Sequence, residues 1–363
     1  MVVARAICTR VSPVMCRASY WMPGDPVIHL TGRRTRRIFL HRRTRCRIAA
    51  TPAGCRRGGP GLRGVAMRLA VSGSVFPAHI DEFTAEHAAT VRAMGFTGCF
   101  TRFDLDDPFT TTDESIRRVR SILDDHGLDM VQAIGHRPPL IHPDDGVRRQ
   151  GISVFQAALR IAGGLRAHSC HSGPGSLAQT GVDRSDWVRS GPWSPHPGNW
   201  DPACKDRLIA SLRECVKAAE DHGTRIGLEG HVLVTLDSAE TMRDVIDAVE
   251  SPAIGCDLDP VNWLRLETVY RSGDAIDHMV DVLGPRRILN GHTKDVVVQP
   301  RLVTHIDECP TGQGILDHDR FIRRMETIGP ERYLIIEHAD VGDIPKARDF
   351  LLSRAEALGI RVW

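Results

Sequence analysis

The chain has 363 residues, with 47 Lys and Arg against 45 Asp and Glu for a formal net charge of +2. That balance conceals two unlike parts: residues 1–66 hold 14 Arg, no Lys and one acid, Asp25, for +13, and the remainder carries −11. An acidic body argues against a nucleic-acid groove, because phosphate binding is dominated by Lys and Arg, and no apolar run approaches the roughly 18 residues that span a bilayer.

The first 66 residues show no sustained period of 2.0 or 3.6 and are rich in Arg, Gly and Pro. They bury too little apolar surface to offset their ordering entropy, so a disordered basic extension is expected. The stretch 35–40 looks like a twin-arginine export signal, but charged residues 41–45 stand where an apolar segment should follow. An over-extended reading frame that truly starts at Met67 fits better, since strand-like residues begin directly after it. Ten scattered cysteines without a C-x-x-C pair point to a reduced, cytoplasmic protein lacking a disulfide framework or zinc ribbon.

From Met67 onward short apolar runs alternate with amphipathic stretches, the pattern of βα units and a parallel sheet. A first strand is expected at 69–71 with a helix near 80–94, and a second at 98–100. The helix that follows, over 112–126, places Ile116, Val119, Ile122 and Leu123 on one face. A third strand at 130–134 leads to a helix near 146–162. The fourth strand, at 167–170, precedes a long insertion and a helix near 205–222 with a buried stripe of Leu208, Ile209, Leu212, Cys215, Val216 and Ala219. Strands at 226–228, 254–259, 288–292 and 333–337 alternate with helices near 238–249, 274–283, 317–328 and 344–358. Eight such units over residues 67–363 fit an α/β single-domain (β/α)8 TIM barrel better than an open doubly wound sheet. No G-x-G-x-x-G follows an early strand, so a dinucleotide fold has little support.

Four of the strand ends close on a residue that ligates metals. Glu229, Asp259, His292 and Glu337 are spaced by 30, 33 and 45 residues, room for one helix and its loops each time, and a barrel gathers such residues at its C-terminal rim. One acid at a strand end is as readily a helix cap or a surface ion pair; four in this arrangement point to a metal centre. Three oxygen donors and an imidazole suit Mn²⁺, Mg²⁺ or Co²⁺. Such an ion holds two adjacent sugar oxygens and stabilises an enediolate while a carboxylate moves the proton. Glu229 and Glu337 are then placed as the acid/base pair of a two-base epimerisation or 1,2-isomerisation.

Several neighbours are candidates for substrate contact. Asn262 either bonds a substrate hydroxyl or forms an Asx turn after Pro260. Lys294 either balances an oxyanion or pairs with Asp295, and support of the ligands is its expected role. His231 shares a strand face with Glu229 and either binds substrate or supports a ligand. The insertion 187–200 holds three of the six tryptophans, Trp187, Trp193 and Trp200. With His196 it reads either as a lid over an apolar sugar face or as a plug or subunit interface. His136, ending the third strand, is a candidate catalytic acid or base, and the loop 172–176 is a weak candidate for a phosphate cradle.

The order Glu229, Asp259-Pro-Val-Asn262, His292-Thr-Lys-Asp295, the Gly312-Gln-Gly314 turn with Asp317, and Glu337-His338 resembles the sugar phosphate isomerase/epimerase superfamily, the xylose-isomerase-like barrels, over about 67–363. The resemblance implies a divalent metal, often Mn²⁺, on those four residues, with the two glutamates also as acid and base. Members include ketose 3-epimerases, hydroxypyruvate isomerases, inosose dehydratases, 3-keto-glycoside epimerases and the larger subunits of C-glycoside deglycosidases, often as dimers or tetramers. A homo-oligomer, or association with a small partner subunit, is therefore implied. Asn262 stands where ketose epimerases have a substrate-binding histidine, and the tryptophan insertion is long. Both favour a bulkier or oxidised glycoside over a small free ketose, with His136 then driving an elimination.

The expectation is thus a metal-dependent isomerase or epimerase of a sugar or keto-sugar. Its alternatives are a lyase, dehydratase or deglycosidase subunit acting on a 3-keto-glycoside, and a non-catalytic sugar-binding barrel. The endonuclease relative of this barrel would need more His and acid ligands and a basic groove.

Overall fold

A computed structural model describes residues 67–362 apart from 74, 104–106, 137, 180–190 and 330, and apart from the side chains of 135 and 136. The expectations for residues 1–66 lie outside it. Eight parallel strands close into a barrel: β1 (Arg68–Ser72), β2 (Gly98–Thr101), β3 (Asp129–His136), β4 (Ser169–Ser172), β5 (Ile226–Leu228), β6 (Ile254–Leu258), β7 (Ile288–Thr293) and β10 (Tyr333–Ile336). Each pairs with its neighbour in sequence, and β10 closes on β1 with Arg68 opposite Tyr333 and Val71 opposite Ile336. Helices follow the strands: α1 (Ala85–Ala93), α2 (Asp113–Asp125), α3 (Asp145–Gly164), α4 (Pro202–His222), α5 (Ala239–Val249), α6 (Ser272–Leu283), α7 (His318–Ile328) and α8 (Ile344–Ala357). The chain is a TIM barrel, and no helix among the described residues is long and apolar enough to cross a membrane.

Helix starts are set by side-chain caps. Thr112 accepts from Ser115 N, Asp144 from Val147 N, Ser238 from Thr241 N and Asp317 from Arg320 N, each satisfying an amide that has no intrahelical acceptor. α4 starts three residues before its expected onset because Asp201 caps Ala203 N and Pro202 occupies the first turn. β4 lies two residues later than expected, since Arg166 is left-handed at φ 55° and Ala167 N turns back onto Ala162 O. A feature with no counterpart in the sequence reading is the antiparallel hairpin of β8 (Asp295–Gln299) and β9 (His305–Cys309), inserted between β7 and α7.

The larger hydrophobic cluster fills the space between sheet and helices, with Leu69, Val71, Met130, Phe155, Leu208, Ile254 and Phe321 among its members. The intervening residues of the same strands point into the barrel. There a small second cluster, Ala70, Phe100, Val131, Tyr333 and Ile335, occupies the interior next to β1, β2, β3 and β10. The interior beside β3 to β7 is polar: Gln132, His171, Asp257 and His292 are all at most 1% exposed. Barrel interiors are ordinarily packed with branched apolar residues, so this polar column marks where the fold departs from its own packing rule.

Candidate metal and active site

Glu229, Asp259, His292 and Glu337 converge at the C-terminal mouth, with one ligand atom from each lying within 4.8 Å of all the others. All four are buried. Glu229 and Glu337 directly follow β5 and β10, and their amides are anchored on neighbouring strands, Glu229 N on Ser172 O at 2.8 Å and Glu337 N on Thr293 O at 3.3 Å. Asp259 follows β6 by one residue; its Oδ1 accepts Val261 N at 3.0 Å, which leaves Oδ2 for the centre. His292, within β7, has Nε2 3.0 Å from Gln132 Oε1. Donation there would leave the Nδ1 lone pair free for an ion when one is bound.

The residues fit a divalent ion. His292 Nδ1 lies 3.1 Å from Glu337 Oε2 and 3.5 Å from Glu229 Oε1, and yet it takes part in no hydrogen bond of acceptable geometry. Buried polar atoms that address a shared point rather than one another are what a ligand set looks like. Burial opposes a charge on His292, but the Glu337 and Glu229 carboxylates outweigh it and hold the imidazole well above its ordinary range. The same field attracts any cation placed there. Glu337 is held well below the carboxylate range, since His292 and Arg102 overcome the effect of burial. Asp259 is pushed up, because burial outweighs the Lys294 ammonium beside it.

Around this centre runs a chain of fixed donors. Lys294 Nζ meets Asp259 Oδ2 at 2.6 Å and donates to Asn262 Oδ1 at 3.1 Å; Asn262 Nδ2 donates to Glu229 Oε1 at 3.0 Å. Asn262 therefore sits on the ligand glutamate, and the turn after the strand is closed by Asp259. Asp295, the alternative partner of Lys294, is taken up by His318 and the amides of Val296, Gly312 and Leu316. His231 accepts Leu233 N on Nδ1 at 3.1 Å, and burial, then Lys294, push it down to about 4. Its neutral ring consequently carries a proton on Nε2.

A cavity of about 330 Å³ opens beside the ligands, lined by Arg102, Trp193, Glu229, His231, Asn262, Lys294, Glu308 and His338. Trp193 packs on His231 with ring centroids 5.7 Å apart. The other residues expected on substrate lie elsewhere. His196 caps Gly198 N, and Trp200 is 47% exposed; neither lines this cavity. A histidine and a tryptophan in a Pro-rich loop had served structural ends, a turn and a helix start. Trp187 and the side chain of His136 lie outside the described residues. The loop 172–176 ties down the insertion instead of cradling an anion: Ser176 Oγ donates to Ser194 O and accepts from Asn199 Nδ2.

Two cavity residues, Arg102 and Glu308, had no signal in the sequence, and His338 entered only as the neighbour of Glu337 in the motif. Arg102, just past β2, donates to Glu337 Oε1 at 3.0 Å and lies over the Phe100 ring. Glu308 enters on the hairpin, 3.9 Å from Lys294 Nζ, and pairs with His338 Nδ1 at 2.8 Å. His338 is left-handed at φ 53°, an uncommon backbone for a residue with a side chain. No short motif links these positions, which meet only through the closed barrel.

The fold and the four-residue centre define a xylose-isomerase-like barrel. The chain belongs to the xylose isomerase-like TIM barrel family, whose model matches residues 88–354. A curated relative, the 3-oxo-isoapionate decarboxylase of Pectobacterium atrosepticum, is 31% identical over 141 residues, which is 37% of this chain and 46% of that protein. The match thus spans less than half of that relative's length. D-psicose 3-epimerase, solved in the presence of D-fructose, shares the fold at TM-score 0.59 and 18% identity, covering 81% of this chain and all of the other. A xylose isomerase-like TIM barrel protein of Mycobacterium smegmatis in complex with magnesium superposes at TM-score 0.58 and 18% identity, over 80% of this chain and 97% of that one.

Proposed function

We propose that this protein is a divalent-metal-dependent isomerase or epimerase of a sugar or keto-sugar, working through an enediolate, with a carbohydrate as its small-molecule substrate. The observation that carries the reading is the convergence of Glu229, Asp259, His292 and Glu337 to within 4.8 Å beside a cavity lined with hydrogen-bonding side chains. Mn²⁺, Mg²⁺ or Co²⁺ on these four residues would supply Lewis acidity toward two neighbouring sugar oxygens. Glu229 lines the cavity and takes the proton from the substrate carbon; Glu337 is the opposing acid/base group. Arg102 and Asn262 hold those two carboxylates in place, each by one hydrogen bond at 3.0 Å. Lys294 and neutral His231 donate to the oxygens on which charge builds, and Trp193 covers a sugar face.

One observation favours a second reading, elimination of a β-substituent. His231 presents a neutral N–H on the cavity wall, placed to hydrogen-bond a leaving oxygen as charge builds on it. In that case Glu229 still removes the proton on carbon. Incubation with Mn²⁺ in D₂O, with a panel of ketoses and a 3-keto-glucoside, tests both. Deuterium in a rearranged sugar supports isomerisation or epimerisation, and release of the substituent supports elimination. Neither outcome with any substrate, from protein that binds Mn²⁺, points to a sugar-binding barrel without chemistry.

A further inference from the structure

Behind the Glu229 carboxylate lie two further buried ionisable residues, His171 and Asp257. His171, on β4, sets Nε2 3.1 Å from Glu229 Oε2 and Nδ1 3.3 Å from Asp257 Oδ2. Both His171 and the Asp257 side chain are 0% exposed. Asp257 belongs to β6 and His171 to β4, so the contact has to cross β5. It does so over Gly227: a Cβ there would stand 2.0 Å from Asp257 Oδ2 and 2.7 Å from its Cγ. A shift in the β6 to β7 register between Cys256 and Asp257 accompanies this crossing.

The geometry points to His171 and Asp257 as positioning residues that fix the rotation of the Glu229 carboxylate. The assignment rests on the proposed reading of the centre as a metal site. With Oε2 held by His171 and Oε1 by Asn262, the carboxylate cannot turn, so one edge always faces His292, Asp259 and Glu337. Three layers of cause stack beneath the ligand: glycine at 227 admits Asp257, Asp257 orients His171, and His171 orients Glu229. Nothing in packing alone asks for this column, since burying ionisable groups is costly and an apolar trio of similar volume would fill the barrel. Nor do His171, Asp257 and His292 make a second ion site, although their ligand atoms cluster. His292 has Nε2 on Gln132 and Nδ1 in the upper centre, so no lone pair remains for another ion.

The test is Mn²⁺ affinity of the purified full chain, titrated by electron paramagnetic resonance of the free ion, with thermal unfolding recorded beside it. His171→Leu fills the space but holds no carboxylate, and its dissociation constant is expected to rise about 10–100-fold, the usual range for removing such a support. His171→Gln places an amide N–H near the former Nε2 and should return the affinity to within about threefold of the parent. Asp257→Asn keeps the volume and serves if the leucine variant does not fold; it should weaken Mn²⁺ about tenfold. A role in packing alone would shift the melting temperature and leave the dissociation constant unmoved. Folded His171→Leu or Asp257→Asn protein that binds Mn²⁺ like the parent overturns the assignment, as does a glutamine variant no better than leucine. A parent protein that takes up no Mn²⁺ sinks the reading of the centre itself, and this assignment with it.

Discussion

Lys294→Met removes the one ammonium in contact with the metal ligands while keeping most of the side-chain volume. The group is 4% exposed, 2.6 Å from Asp259 Oδ2, 3.1 Å from Asn262 Oδ1 and 4.0 Å from Glu337 Oε2. Deleting one partner of a buried ion pair costs about 3–5 kcal/mol, because the other charge stays buried without compensation. At roughly 2–4 °C per kcal/mol for a domain somewhat smaller than this one, the variant should melt roughly 6–20 °C below the parent in EDTA. Saturating Mn²⁺ restores a positive charge beside Asp259, so the gap should narrow by at least half. Paired thermal melts, with EDTA and with Mn²⁺, measure both numbers. A variant that melts within about 2 °C of the parent in EDTA would refute the reasoning, since an uncompensated Asp259 is what the argument requires.

Glu229→Gln should retain the fold and slow substrate-dependent deuterium uptake from D₂O by about 100-fold or more, the usual scale of a lost proton-transfer group; mass spectrometry of the product reads it. Arg102→Lys keeps the charge but loses the planar group that bonds Glu337 and lies over Phe100. A charge-assisted hydrogen bond of about 1.5–3 kcal/mol predicts a roughly 10–100-fold fall in the same assay. Acid sensitivity should trace partly to Asp295: burial raises its carboxyl, but His318 and the amides of Leu316 and Val296 outweigh that and hold it below the ordinary value. A depressed folded-state value gives stability that is fully present above the unfolded carboxyl range, near pH 4, and is lost as pH falls through the folded value. Asp295→Asn should therefore lower the melting temperature at pH 7 and flatten its decline below pH 4; an unchanged slope would count against the account.

The barrel was legible because its signals are local. Apolar runs at strand spacing, the 116/119/123 stripe of α2 and the caps at Ser238 and Asp317 each act within a few residues, and the elements fall within about three residues of expectation, except that α1 begins at Ala85 where a helix from about 80 was expected. The four ligands were legible for a related reason: a carboxylate or imidazole directly after a short apolar run is visible in sequence, and closure of the barrel brings such ends together without further information. What surrounds them was legible in part: His231, Asn262 and Lys294, each close to a ligand in sequence, and Trp193 do line the cavity. Arg102, Glu308 and His338 reach the cavity from β2, the hairpin and the turn after β10, and nothing near each residue announces the others. His171 was hidden by its own strand, Ser-Cys-His-Ser, which lacks the apolar character that marks a barrel strand. The Trp-rich loop shows the opposite error. Three tryptophans in 14 residues suggested a sugar platform, but only Trp193 faces the cavity among those described, because Trp200 ends a short 3₁₀ turn that leads into α4.

The charge inventory of the mouth makes metal uptake and folding stability one question. Five carboxyl groups, Glu229, Asp257, Asp259, Glu308 and Glu337, are linked through direct contacts to Lys294, Arg102, His171 and His292. Only two of those partners, Lys294 and Arg102, are permanent cations. Such an excess of acid in a buried network disfavours the folded state, and an ion that binds folded protein alone must stabilise it by mass action. At a free Mn²⁺ concentration one hundred times its dissociation constant the gain is about 2.7 kcal/mol, enough to move the melting temperature by several degrees. Asp259→Asn should abolish most of that shift, whereas Asp307→Asn, which alters an acid that lines no part of the cavity, should leave it intact. Equal melting of the parent in EDTA and Mn²⁺, or a shift that survives Asp259→Asn, would separate the acids at the mouth from any ion and leave the barrel without its proposed chemistry.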